Sequence, residues 1–347
     1  MVLQSPVYSS RGRLLLNTGR ILTDNYIAAL KKMGVLAVQI KGVDGLDAVE
    51  ADRVLSNEVK IEALTSIQSF VERNMTEKSY KVLVISVQNI INEVLSGRIP
   101  IGGLSEISAH DSYTYAHSVD VCALSITIGY QMKLPRSTLV QLGMGGLLHD
   151  LGKTRIPIEI LNKPSELTDK ESVEMKKHPL LGYNIACYEF EKKLDDEAAN
   201  IILNHHERHD GSGYPRGLKG PELSTLDMIC GLADMYNAMT TDRVYRRSHP
   251  YSEAYEMLLG SGDNYFPIEV VEAFAQCVVP YPVGTFVEMS DGSRACVTRS
   301  NPSLPTRPVV RILSTDEFID LSENLTLVIK SQLPPEDIIR LALTKNH

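Results

Sequence analysis

Two neighbouring histidines, His205 and His206, stand directly before the stretch ERHDGSGYP, which is rich in charged residues and glycine. Imidazole nitrogens are common ligands of catalytic metal ions and also act as general acids and bases. Three further histidines, His117, His149 and His178, occur where the helical pattern turns them towards an apolar face or places them at a helix junction. The sequence therefore indicates a site in which several imidazoles converge.

Two acidic residues accompany these histidines. Asp150 follows His149 directly, and Asp234 lies in the largely apolar stretch CGLADMYNAMTTDR. Each residue alone has an ordinary explanation, since a single inward histidine is usually a hydrogen-bonded core residue and a buried aspartate can be a cap or an ion-pair partner. Together, the imidazoles and carboxylates are costly to desolvate in one core unless something compensates. A metal cluster would compensate.

The candidate ligands are nitrogen and oxygen atoms without thiolates. The five cysteines are scattered and never spaced as CxxC, so neither a thiolate zinc site nor a disulfide framework is indicated. Imidazole and carboxylate ligands favour iron, manganese, or catalytic zinc or nickel. About seven donors are too many for one tetrahedral ion, whereas two metal ions that share a bridging carboxylate would use them all and leave positions for water.

The composition is that of a globular protein with more than one domain. The chain has 347 residues, of which 43% are hydrophobic and 22% charged, and this length fits about two or three domains. The net charge of −8 argues against broad binding to nucleic acid polymers or anionic membranes. No stretch reaches the roughly 18 apolar residues of a membrane span, and the N-terminus lacks the apolar region of a signal peptide. We therefore expect a cytoplasmic protein with reduced cysteines, with the cell envelope as the alternative location.

Three segments with different patterns define the expected domains. Residues 1–100 begin with a strand, helix and strand pattern and continue as amphipathic helix, which predicts a small regulatory α/β module with a helical connector. Residues 101–280 read as consecutive helices and hold all the candidate ligands. Residues 281–347 contain short β-rich runs, which predict a small hairpin appendage. The expected fold class is mainly α, with a helical bundle between these two end modules.

Local signals set helix boundaries near the candidate ligands. Thr168 followed by Glu171 is a capping box, and Pro179 suits the first turn of the helix that begins near His178. The run GMGG at 143–146 is predicted to allow close helix packing, because no strand precedes it as a phosphate-binding loop would require. The candidate ligands are therefore expected at the ends and on the inner faces of packed helices.

The motifs of the helical segment resemble a known family. HD at 149–150 with GK at 152–153 resembles the HD superfamily of metal-dependent phosphohydrolases. HHERHDGSGYPRGLKG at 205–220 and the stretch ADMYNAMTTDRVYR ending at residue 246 resemble its HD-GYP branch. The resemblance covers residues 105–280 with several motifs in the right order. It implies a helical bundle with a di-metal centre that hydrolyses the bacterial second messenger cyclic di-GMP to pGpG, with GMP as a further product.

The resemblance also implies a role for each candidate ligand. The implied ligands form two groups bridged by Asp150: His117, His149 and Asp234 for one ion, and His178, His205 and His206 for the other. Some family members bind a third ion through a glutamate four residues before the first histidine, but Tyr113 stands there. The expected cofactors are therefore two divalent ions, with iron or manganese preferred. The metals would lower the pKa of a bridging water towards roughly 7 and neutralise the phosphoryl oxygens.

Three basic residues are the implied substrate contacts. Lys153 follows the bridging acid by three residues and would bind the scissile phosphate or assist the leaving oxygen, which also makes it a candidate catalytic residue beside Asp150. Arg243 and Arg246 would hold the non-scissile phosphate and a guanine edge. The alternatives are a solvated lysine after a helix end and a solvated basic helix end that complements the helix dipole.

The glycine-rich loop carries a further expectation. In the family the loop formed here by Gly213, Tyr214 and Pro215 borders the active-site cleft and is linked to contacts with protein partners. A purely structural turn is the alternative, particularly for Tyr214. A second copy of the chain, forming a homodimer, is also among the expected partners.

The chain departs from the family pattern at three positions, where Asn237 replaces an aspartate, Val244 a proline and His209 an aromatic residue. None of these is an implied ligand, so they bear on substrate preference more than on metal binding. Two alternative functions stay open: the same chemistry on another cyclic dinucleotide such as cyclic GMP-AMP, and a non-hydrolysing receptor or scaffold. A missing metal ligand would favour the scaffold, and the sequence has all of them.

Overall fold

The protein is represented by a computed structural model, which describes residues 1–3, 6–8, 14–33, 35, 38, 55–72, 75–96, 113–190, 194–241, 248–334 and 337–338. The α-helices of this part are α1 Asp24–Lys32, α2 Asn57–Glu72, α3 Glu77–Ser96, α4 Tyr113–Gln131, α5 Arg136–Leu148, α6 Ile158–Leu161, α7 Asp169–Met175, α8 His178–Asn184, α9 Asp196–Asn204, α10 Thr225–Thr240, α11 Tyr251–Leu259 and α12 Ile268–Cys277. The strands are β1 Val7–Tyr8, β2 Leu14–Leu16, β3 Phe286–Met289, β4 Arg294–Arg299, β5 Val309–Ile312, β6 Phe318–Asp320 and β7 Ile329–Gln332. The mainly α fold class predicted from the sequence is confirmed.

Helix α4 lies at the centre of the bundle and is buried on both faces. Cys122 and Ile126 belong to an apolar core shared with α2, α3 and α5. Leu124 and Ile128 belong to a second core shared with α10, α11 and α12. Burial on both faces explains why α4 is apolar nearly all round. His117 in its second turn is buried and points inward, as its spacing from Leu124 and Ile128 predicts.

The glycine run of α5 brings this helix close to α4. A methyl group added at Gly146 would lie 3.2 Å from Cys122 Cα, so a larger side chain there would press on the backbone of α4. This close approach matches the packing role predicted for the run. It also carries the C-terminal end of α5, with His149 and Asp150, to the level of His117.

The junction of α7 and α8 positions His178. Thr168 and Glu171 form the predicted capping box at the start of α7, in which the Thr168 N–H donates to Glu171 Oε2 at 2.7 Å. Helix α7 ends at Met175, whose carbonyl oxygen accepts a hydrogen bond of 2.8 Å from His178 Nδ1. Because this carbonyl sets the direction of the His178 ring, the cap at one end of α7 supports the candidate site at the other end.

The capping box gives a testable dependence of stability on pH. Hydrogen bonds from Lys163 and Thr168 lower the pKa of Glu171 from its ordinary value of 4.5 to about 2 in the folded protein. Because the folded pKa is the lower one, this carboxylate stabilises the fold fully above pH 4.5, and the contribution is lost as the pH falls through 2. We expect Glu171→Gln to lower the urea midpoint at pH 7, with a difference from wild type that shrinks below pH 4.5. The exposed Glu166→Gln is the control, and a difference independent of pH would contradict the assignment.

The two ends of the chain carry the strands. Near the N-terminus, β1 and β2 pair antiparallel with Val7 opposite Leu16, whereas the strand predicted after α1 lies mostly outside the described residues. Near the C-terminus, five strands form one antiparallel sheet in the order β6-β5-β4-β3-β7. The sheet is larger than the small hairpin predicted, because β3 pairs with the distant β7, a contact that local patterns do not show. Among the described helices, none combines the length and apolar character needed to cross a membrane.

Candidate metal centre

Three histidines of the candidate site lie at helix ends. His149 follows α5 and His205 follows α9, while His178 is the first residue of α8. Each ring has its Nδ1 at 2.8 Å from the carbonyl oxygen of the residue three positions earlier. A carbonyl oxygen only accepts, so Nδ1 carries a proton and donates, and in its neutral form each ring directs the lone pair of Nε2 to the centre of the site.

Helix α10 orients the fourth histidine. His117 in α4 has its Nδ1 at 2.6 Å from Asn237 Oδ1 and its Nε2 at 3.0 Å from Asp234 Oδ1. Asp234 and Asn237 are three residues apart and therefore lie on the same face of α10. The amide oxygen of Asn237 only accepts, so Nδ1 of His117 is again the donor and Nε2 faces the carboxylate.

The seven implied ligands meet in one cluster. Atoms able to bind a metal lie within 4.8 Å of one another in each of three groups: His117, His149 and Asp234; His178, His205 and His206; and His149, Asp150 and His205. The first two groups coincide with the ligand sets implied from the sequence. The third contains Asp150, whose Oδ2 lies 3.4 Å from His149 Nε2 and whose Oδ1 lies 3.4 Å from His178 Nε2. Asp150 therefore presents one oxygen to each group.

Asp234 also contacts both groups. Its Oδ1 lies 3.0 Å from His117 Nε2, and its Oδ2 lies 3.6 Å from His206 Nδ1. The sequence implied a role for Asp234 in one group only. Its place on α10, between α4 and the loop after α9, adds a second carboxylate that spans the cluster.

The cluster fits divalent cations on its own geometry. His178 Nε2 and His205 Nε2 lie 3.2 Å apart, and with a proton on each Nδ1 these two atoms face each other as lone pairs. His149 Nε2 and Asp150 Oδ1 are buried without a hydrogen-bond partner in the described structure. Such groups are costly to bury unless a ligand satisfies them. A cation coordinated by these nitrogen and oxygen atoms satisfies all four.

Burial sets the protonation of the second histidine group. It lowers the pKa of His178 to about 4, and it holds the pKa values of His205 and His206 well below their ordinary value. Neighbouring imidazoles add to the effect on His205 and His206, because protonated rings would repel one another. These rings are therefore neutral at pH 7, which is the form that binds metals.

The carboxylates are held in their charged form. Burial would raise the pKa of Asp150, but His149, Lys153 and His178 outweigh it and keep this pKa well below its ordinary value. The pKa of Asp234 is likewise far below its ordinary value, because His117 and other histidines outweigh its burial.

His149 differs from the rings of the second group. Burial lowers its pKa, but Asp150 and Asp234 raise it by more, so the pKa lies above its ordinary value. A metal bound at His149 therefore competes with a proton, so its affinity should rise with pH.

Lys153 contacts the cluster through Asp150. It lies in a 3₁₀ turn at residues 151–155, and its Nζ donates to Asp150 Oδ2 at 2.6 Å. Its side chain is 26% exposed, so the ammonium group borders both the cluster and solvent. The other two implied substrate contacts, Arg243 and Arg246, lie outside the described residues.

The loop after α9 packs on the cluster through Tyr214. The Tyr214 ring stacks on His206 with ring centroids 4.6 Å apart and an interplanar angle of 29°. The Tyr214 N–H donates to the His206 carbonyl oxygen at 3.1 Å. The Lys176 ammonium lies 5.3 Å from the centre of the same ring. Tyr214 therefore fixes the orientation of His206 from the outer side.

We expect Tyr214→Ala to weaken Mn²⁺ binding at the His206 group by about 10-fold, the equivalent of the roughly 1.5 kcal/mol that a stacked aromatic pair contributes at most. Tyr214→Phe keeps the ring and should bind Mn²⁺ like the wild type. Competitive titration against a fluorescent chelator measures both affinities. Equal losses in the two variants would show that the hydroxyl group, and not the stack, carries the effect.

The structure reveals one important residue that the sequence reading did not single out. Glu207 is fully buried, and its two oxygens accept hydrogen bonds from the backbone N–H groups of Arg216, at 2.7 Å, and Leu218, at 3.1 Å. The carboxylate thereby ties the far side of the loop to the residue that follows His206. An acid directly after paired histidines, followed by a glycine-rich loop that needs an anchor, was the available signal.

Comparison with known proteins agrees with this geometry. Residues 104–269 match the family model described as HD domain, and residues 286–341 match a KOW domain associated with HD domain. A cyclic di-GMP phosphodiesterase of Pseudomonas aeruginosa, PA4108, is 35% identical over 228 residues, which are 65% of this chain and 54% of that protein. The helical segment is therefore an HD domain that is similar to the HD-GYP family.

Another relative is named for a different nucleotide. The 3′3′-cGAMP-specific phosphodiesterase 1 of Vibrio cholerae is 34% identical over 152 residues, which are 44% of this chain and 35% of that protein. The chain thus spans about half the length of the Pseudomonas relative and a smaller share of the Vibrio one.

A solved structure shares the HD-GYP fold. Bd1817, an HDG"Y"P protein from Bdellovibrio bacteriovorus, superposes with a TM-score of 0.54 at 19% identity, and the superposition covers 79% of this chain and 94% of Bd1817.

Of the three departures from the HD-GYP pattern, Asn237 contacts His117, so it bears on the candidate metal ligands as well as on the substrate. His209 lies in the loop, where its N–H donates to the Tyr265 carbonyl oxygen at 3.0 Å. Val244 lies outside the described residues.

Proposed function

We propose that this chain is a metal-dependent phosphodiesterase that hydrolyses cyclic di-GMP to pGpG, with GMP as a further product. The observation that carries the proposal is the pair of ligand groups joined by Asp150, one of its oxygens facing each group. The names of the relatives support the substrate.

The proposed ligands of one ion are His117, His149 and Asp234, and those of the other are His178, His205 and His206, with Asp150 shared. Iron or manganese suits these nitrogen and oxygen donors. When bound, two such ions supply a hydroxide nucleophile near pH 7 and neutralise the negative phosphoryl oxygens. The neutral rings of His178, His205 and His206 and the ionised carboxylates are already in the form that binds metal ions.

Lys153 is the proposed contact of the scissile phosphate. Its Nζ rests on Asp150 Oδ2 at 2.6 Å, so a short movement would bring its N–H groups to a phosphate held beside the cluster. A positive charge there stabilises the developing charge on the leaving oxygen. Arg243 and Arg246 are proposed to hold the non-scissile phosphate, because a guanidinium group binds phosphate oxygens in pairs.

Cyclic GMP-AMP is the second candidate substrate. The observation that favours it is the similarity to a Vibrio protein named for this nucleotide. The chemistry at the phosphodiester would be the same, and the side chains that contact the second base would decide between the two substrates.

Further proposals follow the expectations from the sequence. The domain limits are proposed as residues 1–100, 101–280 and 281–347, with the catalytic domain in the middle and a regulatory role for the first. We also propose a cytoplasmic location and a homodimer. The loop of Gly213, Tyr214 and Pro215 is proposed to contact protein partners.

The test is anaerobic purification of the whole chain, metal analysis, and incubation with cyclic di-GMP or cyclic GMP-AMP, followed by chromatography of the products. About two equivalents of iron or manganese, with pGpG formed by the wild type and not after chelation, would support the proposal. Faster turnover of cyclic GMP-AMP would favour the second candidate. Bound metal without turnover of either would overturn both substrates, and neither metal nor turnover would point to a non-hydrolysing receptor.

A further inference from the structure

One face of α10 lies against the C-terminal end of α9. Asp227, Gly231 and Asp234 follow one another along α10 at spacings of four and three residues, so they lie on the same face of the helix. The residues that meet this face are the last of α9 and the two that follow it: Asn204, His205 and His206. The contacts between the two sets fix the register of the helices, that is, how far α9 extends along α10.

The first contact is a buried hydrogen bond. Asn204 Nδ2 donates to Asp227 Oδ2 at 3.1 Å, and the two residues are 3% and 1% exposed. The same Asp227 oxygen accepts from the N–H of Ser224, the N-cap of α10, at 3.0 Å. At the other end of the Asn204 amide, Oδ1 accepts from Arg216 NH2 at 2.8 Å. Because a guanidinium group only donates, both ends of the amide are assigned, and an ionised aspartate or a leucine at this position would lose the donor.

The other two contacts involve the metal ligands themselves. A Cβ at Gly231 would lie 2.6 Å from the His205 carbonyl oxygen, so a larger side chain there would push the end of α9 away. One turn further along α10, Asp234 Oδ2 lies 3.6 Å from His206 Nδ1. A close approach and a separation of 3.6 Å set no direction, whereas a hydrogen bond has a defined length and angle. The Asn204 amide is therefore the directional contact of the three.

The register of the two helices matters because metal coordination tolerates little displacement. A shift of α9 along α10 by the rise of one residue is about 1.5 Å, whereas metal–ligand distances vary by roughly 0.2 Å. Even a fraction of such a shift would carry His205 and His206 out of place relative to His178 on α8. The contact that fixes the register therefore bears on metal affinity.

We propose that Asn204 is a positioning residue of the metal centre, because its hydrogen bond to Asp227 sets the register of α9 against α10. This register fixes where the two histidines after Asn204 stand in their ligand group. The inference rests on the proposed metal binding and goes beyond it, because Asn204 supplies none of the proposed ligand atoms. Outer partners of this kind change metal affinity by about 10- to 100-fold when they are removed.

Mn²⁺ titration and urea unfolding of the whole chain test the inference with three variants and a control. Asn204→Leu keeps the branched shape and removes both hydrogen bonds of the amide. Asn204→Asp keeps the acceptor for Arg216 and removes the donor. Asn204→Asp combined with Asp227→Asn restores an amide–carboxylate pair with the donor on α10, and it is the rescue variant. Asn89→Leu removes an amide–carboxylate hydrogen bond of 3.1 Å to Glu62, between α3 and α2, and is the matched control.

We expect Asn204→Leu and Asn204→Asp to weaken one of two Mn²⁺ equivalents by about 10- to 100-fold, with the other equivalent, the rescue variant and the control near wild type. The ratio of the two affinities decides, because a purely structural role would lower the urea midpoint and leave this ratio unchanged.

An unchanged ratio in both single variants would overturn the inference. If Asn204→Leu does not fold, the comparison of Asn204→Asp with the rescue variant decides, and equally weak binding by these two would also overturn it. A wild type that binds no Mn²⁺ would instead remove the proposed function, and this inference with it.

Discussion

Asp150→Asn is expected to slow the proposed hydrolysis of cyclic di-GMP about 10³-fold, which corresponds to about 4 kcal/mol of transition-state stabilisation. The reason is the position of the carboxylate, which presents Oδ1 to His178 and Oδ2 to His149 and is the partner of Lys153. An amide keeps the shape but has one neutral oxygen in place of two charged ones. The variant should therefore bind metal more weakly at both groups, and it should also lose the ion pair that orients Lys153.

Single-turnover rates and Mn²⁺ stoichiometry of the same preparation measure this effect. Asp169→Asn, at an exposed position in the first turn of α7, is the matched control and should behave like the wild type. Loss of a single outer hydrogen-bond partner of a metal ligand costs about 10-fold or more. If Asp150→Asn kept two equivalents of Mn²⁺ and its rate fell by less than this, the shared role of Asp150 would be wrong.

Gly152→Ala is expected to lower the free energy of unfolding by about 3 kcal/mol, the upper part of the range for an overfilled site. A Cβ at Gly152 would lie 1.9 Å from the His178 carbonyl oxygen and 2.5 Å from the Gly182 amide nitrogen. Both atoms belong to the backbone of α8, so no side chain can move aside. The helix must shift as a whole, and His178 shifts with it. We therefore also expect the variant to lose the Mn²⁺ equivalent bound by His178, His205 and His206.

Urea unfolding of the metal-free protein and Mn²⁺ titration test the two parts separately. Gly260→Ala is the control, because a Cβ there meets its nearest atoms at 3.6 Å and should change stability by no more than about 0.5 kcal/mol. Wild-type stability in Gly152→Ala would mean that the turn at residues 151–155 can move away from α8 at little cost.

The convergence of the seven candidate ligands could be anticipated because each is marked by local sequence, whereas their division into two groups came from the resemblance to the HD-GYP family. Helical spacing turns His117 inward, and the paired histidines stand where a helix runs into a glycine-rich loop. The capping box and Pro179 mark the helix start at His178, and the structure has both. These signals depend only on residues a few positions apart in the chain, so they can be recognised without knowledge of the tertiary structure.

The supporting contacts could not be anticipated because they join distant parts of the chain. His117 and Asn237 are 120 residues apart, and nothing in either helix says which side chain of the other it will meet. The same holds for Asn204 with Asp227, and for the pairing of β3 with β7 that turns a predicted hairpin into a sheet. Spacing along one helix tells which residues share a face, but the partner of that face is a property of the packed fold.

The placement of His149 and His205 at the ends of α5 and α9 has a consequence for the order of events. The C-terminal end of a helix carries about half a negative charge, and here two such ends meet the ionised Asp150 and Asp234. Before metal arrives, these negative charges therefore oppose the binding of an anionic dinucleotide. We therefore expect the affinity for the proposed nucleotide substrate to rise with metal occupancy, so that divalent cations would control its binding as well as its proposed cleavage.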